Sequence, residues 1–273
     1  MKLHYDVQYT PRFEKNSWEQ LKQFTDARIA LGRTGGSLPT RPLLEFQLAH
    51  AQAKDAVLKP LDLEMLSQQL QQQQITFVQV SSCALDKDTY LKRPDLGREL
   101  SEASRQMLKT MQSETGQQPY DVLIVAGDGL SARAIEDNAV SLLAKLQAAC
   151  VQQGWTVAPV VIATGSRVAL GDEIAQILQA KMLVMLIGER PGLSSPDSMG
   201  IYYTWQAKKG CHDAMRNCIS NVRPAGLDEV TAVQRLMALM RKSEQLQLSG
   251  VDLKDEHEMV IEQGQAQLPH GIF

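Results

Sequence analysis

The chain has 273 residues, 44% hydrophobic and 22% charged, a globular balance that excludes wholesale disorder and gives length for one or two domains. Its 28 lysines and arginines stand against 31 aspartates and glutamates, so it lacks the cationic excess of a nucleic-acid binder. Much of the imbalance sits in residues 250–262, where Asp252, Asp255, Glu256, Glu258 and Glu262 face Lys254 alone; the near-neutral body is compatible with burying surface against a partner.

In chain order, the first sixty residues or so predict helices. Ser17-x-x-Gln20 is a capping box, with Leu21, Phe24, Arg28 and Leu31 following at helical spacing before Gly32. A turn-rich connector, Arg33–Pro42, leads to a second helix with Leu44, Leu48, Ala51 and Asp55 on one side. Asp62 caps a third, through Leu63, Leu66 and Leu70, whose tail Gln71–Gln74 reads as a solvated helix end. From Ile75 the pattern changes. Ile75–Val80 is β-type, and Pro94 opens a helix carrying Leu96, Leu100, Ala103, Met107 and Met111. Then strand Asp121–Ala126, helix Ser131–Gln152, strand Thr156–Ala163, helix Asp172–Gln179 and strand Met182–Ile187 alternate. Both faces of these strands are apolar, as a parallel sheet covered on two sides requires. A long helix, Asp228–Gln247, with Val230, Val233, Met237 and Met240 on one stripe, precedes the acidic tail. The expected fold is α/β, a Rossmann-like doubly wound, mainly parallel sheet. The expected organisation is a helical region 1–74, the sheet domain 75–250 and a tail 251–273.

In such a sheet ligands bind beyond the carboxyl ends of the strands. Three glycine-rich loops occupy that edge: Gly127–Ser131, Thr164–Val168 and Gly188–Gly192. They predict a binding crevice. Gly127-x-Gly129-x-x-Ala132 also satisfies the dinucleotide fingerprint, with Arg167 placed to serve a 2′-phosphate, so an NADP-linked oxidoreductase is a second reading. Against it, Asp128 sets a negative charge beside the phosphate site, and Ala163-Thr164 stands where an acid would grip the ribose. Glycines that merely permit a tight turn explain the motif equally well.

Other groups carry less chemistry. Cys211-His212-Asp213 reads as a surface imidazole rather than a nucleophilic pair, and Cys218, taken alone, as a buried structural thiol. Asp172-Glu173 and Asp228-Glu229 stand in helix first turns, where acids favour the dipole. Asp255-x-His257-x-x-Val260 lacks the glycine of the cobalamin-binding histidine loop. Cys83, Cys150, Cys211 and Cys218 form no C-x-x-C pair and no zinc spacing, and the start Met1-Lys2-Leu3-His4 lacks a signal peptide's apolar stretch. A soluble, cytosolic protein without resident metal or membrane span is expected. With no acid, base and nucleophile set, a cofactor or second polypeptide would supply the reactive groups.

Taken in order, Gly32-Arg-Thr-Gly35, Leu91-Lys-Arg-Pro-Asp-Leu-Gly97, Gly127-Asp-Gly-Leu-Ser131, Gly188-Glu-Arg-Pro-Gly-Leu193 and Asn217-Cys-Ile-Ser-Asn221 resemble the small (light) subunit family of ethanolamine ammonia-lyase. The resemblance covers roughly Leu31 to Gly250. It implies an adenosylcobalamin-dependent radical lyase that converts ethanolamine to acetaldehyde and ammonia. The substrate would lie in a TIM-barrel large subunit, with cobalamin between the two chains. It further implies that Val168, Glu189 and Cys218 line the cofactor, and that the cobalt keeps its own benzimidazole. The family is cytoplasmic, in some members packed into a bacterial microcompartment by a longer N-terminal extension. Here about thirty residues precede Gly32, which argues against encapsulation.

Overall fold

The computed structural model describes residues 17–114 and 119–253, and the chain divides into two units, residues 1–52 and 53–273. In the first, the helix expected over Ser17–Leu31 shrinks to one 3₁₀ turn, Ser17–Gln23. The Thr25 hydroxyl accepts from Ala27 N, a local bond that competes with helix propagation, and Ala30 takes a positive φ of 52°. Trp18 and Phe24 are exposed, so no packed face rescues so short a helix. Thr34 and Ser37 then exchange backbone bonds across Gly35-Gly36. The second expected helix is present as α1 (Thr40–Leu58), but the stripe from Leu44 through Leu48 to Asp55 is exposed.

The second unit is an α/β layer structure. Helix α2 (Leu63–Gln72) starts where the Asp62 carboxylate accepts from Met65 N at 2.9 Å, and it buries Leu66 and Leu70. Gln71–Gln74 are exposed, as expected of a solvated end. Strands β1 (Phe77–Ser81), β2 (Val122–Gly127), β3 (Val160–Thr164), β4 (Met182–Gly188), β5 (Met199–Trp205) and β6 (Arg216–Val222) form one sheet in the order β1-β3-β2-β4-β5-β6. The first four run parallel, and β5 and β6 are antiparallel additions at one edge. The sheet is therefore mixed. Between the strands run α3 (Lys87–Lys92), α4 (Glu102–Glu114), α5 (Ala132–Gln152) and α6 (Leu170–Ile177), and α7 (Glu229–Leu246) follows β6.

Every side chain of β2 and β4 is buried, because each face of the sheet has its own core. Ile124, Ala126, Val184 and Leu186 pack with Leu142 and Leu146 of α5 and Leu236 and Met240 of α7. Leu123, Val125, Leu183 and Met185 pack on the other face with Leu108 of α4 and Ile174 of α6. Burying a side chain of this size stabilises by roughly 1.5–3 kcal/mol, so the pattern defines the central strands.

Several elements differ from the sequence reading. Pro159 donates no backbone bond, and β3 begins only at Val160. The helix expected from Pro94 is split: α3 ends at Lys92, a 3₁₀ turn covers Leu96–Arg98, and α4 starts at Glu102. Leu100, placed within that helix by its spacing, instead bridges Ser82 in extended backbone, with its N–H donated to the Glu173 carboxylate at 3.1 Å. Helix α3 and the hairpin β5–β6 were not anticipated at all. The expected tail falls almost wholly outside the described residues. Among the described residues no helix is long and apolar enough to cross a membrane.

Candidate functional site

The carboxyl ends of β2, β3 and β4 bring the three glycine loops together, and each turns out to have a different role. The loop after β2 is a strut. Asp128 is buried, and its carboxylate accepts from Gly165 N and Ser166 N, both at 2.9 Å, and from Ser166 Oγ at 3.1 Å. It thereby ties the β2 loop to the β3 loop. Gly129 has a φ of +55°, and a Cβ there would stand 2.3 Å from Gly188 O. Gly188 is tighter still: its Cβ would stand 2.0 Å from Ser131 O. Leu130 N donates to Gly188 O, and Ser131, the cap of α5, donates its hydroxyl to Pro196 O. The start of α5 is thus packed by protein where the dinucleotide fingerprint needs a pyrophosphate. This overturns the NADP reading of Gly127–Ala132. The negative charge of Asp128 repels no ligand; it accepts backbone N–H groups 37 and 38 residues away.

The loops after β3 and β4 line a concave surface of about 440 Å³ with Tyr90, Leu130, Arg167, Val168, Ile187, Gly188, Glu189, Arg190 and Tyr202. Val168 and Glu189 therefore meet, as the crevice argument expected. Glu189 is fixed by its backbone bond to Ser198 O and by two donors to its Oε2, Ser198 Oγ and Asn221 N at 3.2 Å. Among the described residues Oε1 has no hydrogen-bond donor, and it lies against Gly200, where a Cβ would stand 2.9 Å away. One oxygen orients the group and the other is left to accept.

Cys218 lies on β6 opposite Tyr202 of β5, and it is exposed, not the buried structural thiol that the sequence suggested. The reason is the layer arrangement. Helix α7 packs on β5 and β6 from one side, whereas on the other side α6 packs on β4 and reaches β6 through the Asp172–Arg216 pair, leaving Cys218 exposed. Cys218 stands there on a shelf formed with Tyr202. Its thiol is held above the ordinary value, first by lost hydration and then by the Glu189 charge, with a bond to Tyr202 opposing. Tyr202 is itself pushed up to about 12, first by burial and then by Cys218 and Glu189. Both stay neutral at physiological pH.

The shelf is pinned from below. Arg216, two residues before Cys218 on β6, is buried and makes a bidentate pair with Asp172 of α6 at 2.6 and 2.7 Å, with further bonds to Thr204 Oγ1 and Cys211 O. Glu173 beside it accepts from Arg105 and Leu100 N. The Asp172-Glu173 pair does stand in the first turn of α6, but each acid holds a specific partner there. Asp228 caps α7, as expected, accepting from Val230 N and Thr231 N. His212 is exposed, and the neighbouring Cys211 Sγ accepts from Lys208 N, which leaves no nucleophilic pair. Among the described residues no group of three His, Cys, Asp or Glu could hold a metal ion.

The sequence reading missed Tyr90 and Tyr202 as lining residues. The aromatic run Ile201–Trp205 was a strand signal for Tyr202, and the Asp86 cap that accepts from Thr89 N was a helix signal for Tyr90.

Comparison with known proteins gives one consistent result. Residues 15–254 match the family model described as ethanolamine ammonia-lyase light chain (EutC). The chain is 51% identical over 252 residues to the ethanolamine ammonia-lyase small subunit of Pseudomonas aeruginosa (strain UCBPP-PA14), covering 92% of each chain. It is 53% identical over 243 residues to that of Pseudomonas fluorescens (strain Pf0-1), covering 89% of this chain and 88% of the relative. It is 49% identical over 246 residues to that of Pseudomonas syringae pv. tomato (strain ATCC BAA-871 / DC3000), covering 89% and 85%.

Proposed function

Because the chain belongs to the ethanolamine ammonia-lyase light chain family, we propose that it is the cofactor-binding small subunit of a lyase that converts ethanolamine to acetaldehyde and ammonia. In this reading the fold is a Rossmann-like scaffold, a large TIM-barrel subunit holds the substrate, and adenosylcobalamin lies between the two chains in the cytoplasm. When bound, the cofactor supplies the radical that starts the rearrangement. The observation that supports the reading best is the half-used Glu189 carboxylate, fixed through Oε2 while Oε1 is left to accept, in one concavity with Val168. A corrin rim carries amide N–H groups, which suit such an acceptor.

The remaining residues fit the same group. Val168 offers an apolar edge, and Cys218 with Tyr202 forms a neutral, low-profile shelf over which a flat macrocycle can pass. A corrinoid exceeds the roughly 440 Å³ available, so this chain would form only one wall. Its own work would be to orient the cofactor and exclude water, with the chemistry on the partner's side. In solution the isolated chain should neither turn over ethanolamine nor retain cobalamin, and mixing with the large subunit should restore both. Glu189→Ala should weaken cobalamin retention in the reconstituted complex by ~1–3 kcal/mol, the cost of stranding polar groups. An unchanged dissociation constant would remove Glu189 from the site.

A further inference from the structure

We propose that Arg167, helped by Arg190 at the same concavity, is an anion-binding arm that takes the phosphodiester of the cofactor's nucleotide tail. This rests on the corrinoid reading above and adds to it a specific polar contact.

Arg167 and Arg190 are cations that no carboxylate pairs among the described residues. Arg167 is held by protein on three sides: its N–H donates to Gly97 O at 2.8 Å, its Nη2 donates to Tyr90 O at 3.0 Å, and its guanidinium lies 4.1 Å from the Tyr90 ring centroid. Tyr90 is fully buried, so this stack fixes the guanidinium plane. Yet Nη2 is the only guanidinium nitrogen with an acceptor among the described residues, and Nε is out of water with none. Arg190, exposed and without an ion pair among the described residues, lines the same surface. The two nearby acids hydrogen-bond neutral donors and neither arginine: Asp128 accepts from the β3 loop, and Glu189 Oε2 from Ser198 and Asn221. Lys87 adds further positive charge, its Nζ 4.9 Å from the Tyr90 ring centroid, and its pKa is lowered first by burial, with Asp128 opposing and Arg167 adding to the shift.

A second hollow shows what carboxylate-paired cations look like. There Arg105 pairs with Glu173 and Glu102, and Lys209 with Glu99. Arg167 has no such carboxylate. A phosphodiester carries one negative charge and two terminal oxygens, which match the paired N–H groups of a preorganised guanidinium.

The test uses the complex reconstituted with its large subunit and three probes: cyanocobalamin, cobinamide phosphate, and cobinamide, which lacks both phosphate and base. Arg167→Ala should weaken the first two by about 10-fold or more and leave cobinamide within about 2-fold. Arg190→Ala, at an exposed side chain that cannot unfold the chain, should give the same pattern at smaller amplitude, and Arg167→Lys should recover part of the loss. Equal losses for all three probes, or none, would overturn the assignment. So would a loss of subunit association measured without any corrinoid, since Arg167 would then pair with a partner carboxylate. A wild-type complex that takes up no probe would remove the corrinoid reading and this one together, whereas selective failure on Arg167 would remove this one alone.

Discussion

The turn between β2 and α5 and the flank made of β5 and β6 both lean on β4, and they differ in whether their polar groups already have partners. In the turn, Asp128 accepts three hydrogen bonds, Ser131 caps α5 and reaches Pro196, and glycines bring backbone to backbone. On the flank, among the described residues, Glu189 keeps an oxygen without a donor and Cys218 is exposed on β6. The first region resembles a ligand loop in sequence and acts as a strut; the second has a less regular pattern and carries the groups left for a ligand. A glycine motif after a strand therefore reports close approach of some backbone or ligand, without saying which.

The comparison breaks most severely at Gly188. A Cβ there would stand 2.0 Å from Ser131 O and 2.6 Å from Asp128 O, both backbone atoms of the strut. Gly188→Ala should cost ~4 kcal/mol or more and show as a large drop in the urea midpoint of the isolated chain. Next is the pin beneath the flank. Arg216→Met leaves Asp172 buried without its bidentate partner and should cost ~3–4 kcal/mol, while the double variant with Asp172→Leu should recover much of that loss, because a buried ion pair is often replaceable by apolar packing. If the single variant unfolds at the wild-type midpoint, the pin is not what holds the shelf. Asp128→Ala strands two backbone N–H groups and should cost ~2–3 kcal/mol in the same assay.

These three cases also show where the sequence was legible. The strand–helix alternation from β2 to β4 could be read because runs such as Val122–Val125 are apolar at every position, and topology then placed Val168 and Glu189 at one edge. Strand β6 could not, because Asn217, Ser220 and Asn221 break any apolar run and it opens on Arg216, a buried cation whose partner Asp172 lies 44 residues away. The role of Asp128 was hidden for the same reason: its donors come from another loop. Cys218 entered only through family resemblance, and its exposure depends on how α6 and α7 lie against β5 and β6, a fact of layer arrangement that no local pattern encodes.

The smallest expected effect concerns Cys218 itself. Its thiol is exposed but its pKa is raised, whereas Cys150 is buried and pushed up to about 12. Only the thiolate attacks an alkylating reagent, and a raised pKa leaves less thiolate at neutral pH. Iodoacetamide should therefore modify Cys218 in the isolated chain slowly at pH 7, with a rate that is still climbing above the ordinary thiol range, and should leave Cys150 untouched, as peptide mapping can resolve. Cys218→Ser should change the free energy of unfolding by less than ~0.5 kcal/mol, since little packing is lost at an exposed site. Adding the large subunit and cobalamin should suppress the modification. A Cys218 that reacts equally fast in the complete complex would mean that the shelf stays open to solvent, and the contrast between a filled strut and a flank awaiting its ligand would fail there.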